Sequence, residues 1–136
     1  MTVNILCFGG HADDLELAMG GTIAKYSSEG KNVISVVLSN GEGSSPWLKT
    51  DLLIEERIRE TKEVSKFLGS KTILLSLADG HLEDEILKQN VQKKISSLIV
   101  KYKPKQIFVP SHLDPHSDHR AVNKVVSMVL NRIDKK

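Results

Sequence analysis

The chain has 136 residues, 40% of them hydrophobic, which is the length of one ordinary domain with enough apolar material for a core. Its 19 Lys and Arg nearly balance 17 Asp and Glu without any basic block, and one Trp, two Tyr and three Phe leave few rings to stack on bases, so nucleic acid is not an expected partner. One cysteine excludes an internal disulfide, and no apolar run approaches the ~20 residues of a membrane helix or follows a basic leader, so a cytoplasmic protein with no membrane insertion is expected.

Val3-Asn-Ile-Leu-Cys-Phe8 reads as a first buried strand, within which Cys7 is a small buried residue. Gly20-Gly21-Thr22 is expected to open a helix that closes near Gly30, and Val33 to Leu38 predicts a second strand. Gly41 to Pro46 forms a flexible turn, beside which Trp47 either anchors the loop or covers a pocket. Ile54, Ile58, Val64 and Leu68 recur near helical spacing from Leu52 to Leu68, and Gly69 supplies the stop. Thr72 to Leu75 predicts a third strand. Ile86, Leu87, Val91, Ile95, Leu98, Ile99 and Tyr102 line one face of a single helix, which Pro104 ends ahead of a fourth strand from Gln106 to Val109. Val122, Val125, Val126, Val129 and Ile133 stripe a last helix.

Strands separated by helices of this length imply right-handed crossovers, hence an α/β fold with a Rossmann-like, doubly wound, mainly parallel sheet covered by helices on both faces. Residues 1–136 form a single domain on this reading. Ligands in such sheets bind beyond the carboxyl ends of the strands. Four polar runs follow the four strands: His11-Ala-Asp13-Asp14, Ser39-Asn-Gly-Glu42, Ala78-Asp79-Gly80, and the stretch from His112 to His119. A parallel sheet brings all four to one edge.

The first and fourth runs are rich in His and Asp, whose nitrogen and oxygen donors suit a borderline divalent metal. His116 and His119 lie three apart at the start of the last helix, so both rings can face one side of its first turn. Asp118 between them can orient an imidazole by accepting its N–H. Asp13 and Asp14 are consecutive in a tight loop and point in different directions, so one can bind metal while the other faces the attacking water.

The pattern His11-x-Asp13-Asp14-x-Glu16, then Gly20-Gly21-Thr22, and later His116-x-Asp118-His119-Arg-Ala resembles the LmbE-like / PIG-L family of zinc-dependent N-deacetylases. Leu38-Ser-Asn-Gly-Glu42, Arg57-x-x-Glu60 with Leu68-Gly69, and Leu77-Ala-Asp79-Gly80 are similar to its intervening segments. The resemblance implies His11, Asp14 and His119 as ligands of Zn2+, with another divalent transition metal as the alternative. It implies Asp13 as catalytic base, His116 as oxyanion-stabilising imidazolium supported by Asp118, and Arg57 and Asp79 as contacts to a sugar. The reaction it implies removes the acetyl group from an N-acetylglucosamine-type amino sugar or glycoconjugate by metal-activated water.

Gly10 and Ala12 depart from the family's usual Ala and Pro around His11. Family members typically continue beyond the closing motif, so a truncated or minimal member with an open pocket and a tendency to form homo-oligomers is expected. A non-catalytic zinc- or sugar-binding domain of the same fold is the alternative. A receiver-like phosphoacceptor domain is a more distant one, lacking a matching lysine after a late strand and leaving the histidines idle.

Overall fold

The computed structural model describes residues 5–134, so the expected strand start at Val3 and the closing Lys135 and Lys136 lie outside the described residues. Ile5–Gly9 forms β1 and Val33–Ser39 forms β2, and both are buried at every position. A strand without an exposed face must be covered on both sides, which is the condition inside a parallel sheet. Lys71–Leu77 forms β3 and Gln106–Phe108 forms β4, and neighbouring strands pair in parallel in the order β3-β2-β1-β4. The helices are α1 (Asp14–Ser28), α2 (Thr50–Leu68), α3 (Leu82–Lys88), α4 (Val91–Tyr102) and α5 (Ser117–Ile133).

Alternation along the strands divides the apolar residues between two cores. Leu6, Phe8, Ile34, Val36 and Leu38 pack with Leu82, Ile86, Val91, Ile95 and the valine stripe of α5. Ile5, Cys7, Val33 and Val37 face the other way, onto Leu15 and Ile23 of α1, with Leu68 of α2 at the margin. Each fully buried side chain of this size contributes about 1.5–3 kcal/mol of transfer free energy. The doubly wound α/β architecture expected from the sequence is therefore present.

Several elements differ from expectation for local reasons. Helix α1 begins at Asp14 rather than at the glycine pair; Met19, with φ −147° and ψ 20°, breaks helical geometry just before Gly20, so the glycines open only its second stretch. The single helix expected around Ile86 to Tyr102 is two, because Asn90 adopts φ +51°, a left-handed conformation that asparagine tolerates better than most residues. That break leaves Leu87 66% exposed instead of on the apolar face. In α2 the buried positions are Leu53, Thr61 and Ser65, and the Thr61 hydroxyl is satisfied by the Arg57 carbonyl and that of Ser65 by Thr72. Gly69 ends α2 at φ +74°, and a Cβ there would fall 2.0 Å from Ser27 Oγ of α1.

Strand β3 runs to Leu77, past the expected end, through a register shift opposite Val37 and Ser39 where Ser76 takes φ +58°. Such a bulge re-aims the residues that follow it, here the run containing Asp79. The order of the strands reverses at β1: β2 and β3 build outward on one side of it, and β4 lies on the other. The carboxyl ends of β1 and β4 therefore frame a crevice at the switch point, which is where ligands of doubly wound sheets bind.

Candidate metal centre

All four polar runs reach this crevice. The Ser39 amide donates to the Gly10 carbonyl at 2.8 Å, the Asn40 amide to the Leu77 carbonyl at 3.1 Å, and the Gly80 amide to the Asp118 carboxylate at 2.9 Å. Backbone groups at strand ends have no further ladder partners, so these bonds both satisfy them and fix the loops against each other.

His11 leaves β1 through a short turn, and Asp14 opens α1, its Oδ2 accepting the His11 amide at 2.7 Å. The same oxygen lies 3.4 Å from His11 Nδ1 and 3.0 Å from His119 Nε2, and the two ring nitrogens are 3.3 Å apart. Gly10 makes room for this approach: a Cβ there would lie 3.1 Å from His119 Cδ2 and 3.2 Å from Asp14 Oδ2. His11, Asp14 and His119 thus each turn one ligand atom to a common point, all within 4.8 Å of one another. Two imidazole nitrogens and one carboxylate suit zinc or a neighbouring transition metal and leave coordination positions free. A second grouping, His11 with His116 and Asp118, meets the same distance condition.

The nitrogens that face away from this point are held as well. His11 Nε2 lies 2.9 Å from Asp79 Oδ1 and 3.1 Å from Asp118 Oδ2. Asp118 is only 2% exposed and also accepts the Gly80 and Leu82 amides, at 2.9 and 3.1 Å. Support of His116 by Asp118, expected from the motif, takes a different form. The Asp118 amide donates to His116 Nδ1 at 3.1 Å, making His116 the N-cap of α5, while the Asp118 carboxylate turns to His11. With Nδ1 accepting, the proton of a neutral His116 ring sits on Nε2. Asp79 uses its second oxygen for the Gly43 amide at 3.0 Å, and its own amide donates to Glu42 Oε1 at 2.8 Å. Sequence reasoning missed Asp114, whose Oδ2 lies 3.1 Å from His119 Nδ1 and whose Oδ1 accepts the His116 amide at 2.8 Å. Its available signal was an Asp two residues ahead of His116, the spacing of an Asx turn.

These contacts govern charge. The hydrogen bond to Asp14, against burial and with help from Asp118 and Asp79, pushes His11 up to about 9. Burial disfavours the ionised forms of Asp14 and Asp118, but it is outweighed by His11 at Asp14 and by the Leu82 amide with His11 at Asp118. Both carboxyls are held below the ordinary range. Burial, reinforced by the charges of Asp13 and Asp14, raises Glu16. Burial alone pushes the Cys7 thiol up to about 12, so it is an inert core residue.

A polar cavity of about 260 Å³ opens beside the cluster, lined by His11, Asp13, Gly41, Gly43, Ser44, Arg57, Asp79 and His116. The Asp13 side chain is 49% exposed and its Oδ2 lies 3.4 Å from Arg57 Nη2. Arg57 Nη1 lies 3.4 Å from Glu60, while its Nε is buried with no hydrogen-bond partner among the described residues. Trp47, 91% exposed, is not among the cavity's lining residues. A larger groove of about 580 Å³ lies on the far side of Asp14 and His119, with Leu15, Leu17, Met19 and Phe108 among its walls. It is the bigger space, but Asp13 and His116 face the smaller one.

Residues 6–130 match the family described as PIG-L, GlcNAc-PI de-N-acetylase. The chain belongs to this family. The uncharacterized deacetylase YaiS of Escherichia coli K12 is 30% identical over 94% of this chain and 68% of its own length. Diacetylchitobiose deacetylase of Thermococcus kodakarensis is 31% identical over 85% of this chain and 45% of its own. The structure of N,N'-diacetylchitobiose deacetylase from Pyrococcus horikoshii, complexed with its inhibitor MPG, aligns with a TM-score of 0.84 at 28% identity, covering 94% of this chain and 49% of that one. The chain therefore spans about half the length of these two deacetylases. His11, Asp13, Asp14, His116 and His119 all fall within the segment matched to the PIG-L family.

Proposed function

We propose that this chain is a zinc-dependent N-deacetylase acting on an N-acetylglucosamine-type amino sugar or glycoconjugate. The observation that carries this reading is the convergence of His11 Nδ1, Asp14 Oδ2 and His119 Nε2 on one point beside a cavity that Asp13 and His116 also line. His11, Asp14 and His119 would hold the metal. Zinc bound by three protein ligands supplies a water of near-neutral pKa and polarises a carbonyl.

The remaining chemistry belongs to side chains. Asp13 takes a proton from the water that attacks the acetamide carbon, and later returns it to the departing amine as the C–N bond breaks, giving acetate and a free amino sugar. His116, pinned by its cap at Nδ1, offers Nε2–H to the carbonyl oxygen as negative charge develops there. Arg57 and Asp79 meet the polar groups of the sugar; the Arg57 guanidinium and the half-exposed Asp13 carboxylate, both on this wall, give it donors and acceptors for hydroxyls.

Acetate release from N-acetylglucosamine derivatives tests the reading. Zinc-loaded wild type is expected to release acetate, and Asp13→Asn to retain its zinc while losing about 10²–10⁴-fold in rate. A zinc-loaded wild type that releases none would leave the non-catalytic binding domain as the better account.

A further inference from the structure

We infer that Asp114 is a positioning residue for the metal: it fixes the tautomer and orientation of His119, so that Nε2 is the nitrogen presented to the ion. The inference rests on His11, Asp14 and His119 forming the metal set.

His119 Nε2 faces Asp14 Oδ2 at 3.0 Å and His11 Nδ1 at 3.3 Å, so its other nitrogen must carry the proton for Nε2 to ligate. That nitrogen, Nδ1, lies 3.1 Å from Asp114 Oδ2. A carboxylate accepting the far N–H of a ligating histidine locks the ring and raises the basicity of the metal-facing nitrogen. Asp114 and the residue after it are anchored by three hydrogen bonds. Asp114 Oδ1 accepts the His116 amide at 2.8 Å, the Asp114 carbonyl accepts Arg120 Nη1 at 2.7 Å, and the next carbonyl, of Pro115, accepts the same nitrogen at 2.7 Å. The rigid residue Pro115 follows directly. The carboxylate thus reaches His119 from a loop that is anchored independently of the ring.

A purely structural role for Asp114 would lie in its loop bonds, and the two roles separate by substitution. Both contacts need an acceptor, one at each carboxylate oxygen. Asparagine keeps one oxygen, enough for the His116 amide, and would set an N–H₂ donor against His119 Nδ1, which favours the proton on Nε2 and so opposes ligation. Arg120→Ala loosens the loop and leaves the carboxylate intact.

Zinc affinity by chelator competition, together with nitrogen NMR of the histidine rings, tests the inference on the intact chain. Asp114→Asn is expected to weaken zinc binding about 10–100-fold, while Arg120→Ala stays near wild type. In the zinc-loaded wild type, His119 should carry its proton on Nδ1. Wild-type affinity in Asp114→Asn, an equal loss in Arg120→Ala, or a proton on His119 Nε2 would overturn the inference while leaving the metal site standing. A wild type that binds no zinc would overturn both.

Discussion

The two histidines that converge on the metal point are secured very differently. His11, just past the end of the fully buried β1, has its Nε2 held by two carboxylates, Asp79 from the loop after β3 and Asp118 from the first turn of α5. His119, in the first turn of α5 and following the three-residue strand β4, which is at the edge of the sheet among the described residues, has its Nδ1 held by Asp114 from the loop that leads into its helix. Position in the sheet accounts for the contrast. β1 lies inside the sheet, between β2 and β4, so the segments after β3 and after β4 both reach the loop that follows it, whereas among the described residues β4 has a neighbour on one side only and the segment after it holds His119 with its own Asp114. Redundancy at one end and dependence at the other should show as unequal responses to mutation.

The largest effect is expected at the residue that serves both as His11's partner and as a structural anchor. Asp118→Ala leaves the buried Leu82 amide without its acceptor, removes that of the more exposed Gly80 amide and takes a partner from His11, the buried unsatisfied group alone costing about 1–3 kcal/mol. Thermal and denaturant unfolding should register several kcal/mol in total; a change within ±0.5 kcal/mol, about the range of ordinary surface substitutions, would contradict the assigned network. Asp79→Asn should weaken metal binding by only about tenfold, the low end for groups that support a ligand, because Asp118 still holds His11 Nε2. Its loss should therefore be smaller than that of Asp114→Asn, and the reverse ranking in chelator competition would break the comparison.

A separate effect is electrostatic and belongs to the metal-free chain. His11 is raised from 6.5 to about 9, so the stabilisation from its protonated form is complete below pH 6.5 and is lost as pH rises through about 9. Metal-free wild type should lose stability relative to His11→Gln between about pH 6 and about pH 10. A relative gain over that interval would put the charge of His11 elsewhere.

Much of this arrangement was legible in the chain. The predominantly apolar runs Ile5 to Phe8 and Val33 to Leu38, too short for helices and bounded by turn residues, read as strands covered on both faces, and once those strands are parallel their following loops meet at one edge. The valine spacing from Val122 to Val129 likewise admits one buried helical face. What was not legible depends on the third dimension. The reach of the Asp118 carboxylate to His11, 107 residues away in sequence, follows from how α5 docks against β1. Asp114 escaped notice because its neighbours His116 and Asp118 carry the more familiar pattern. The break at Asn90 was hidden because Ile86 and Val91 still share one core across it.

The central claim is that His11, Asp14 and His119 share one ion. Anomalous diffraction from crystals of the chain loaded with one equivalent of zinc tests it most directly. The account predicts a single strong peak ligated by His11 Nδ1, Asp14 and His119 Nε2, with Asp13 unligated beside it. A peak seated instead on His116 and Asp118, the competing donor group, would contradict it.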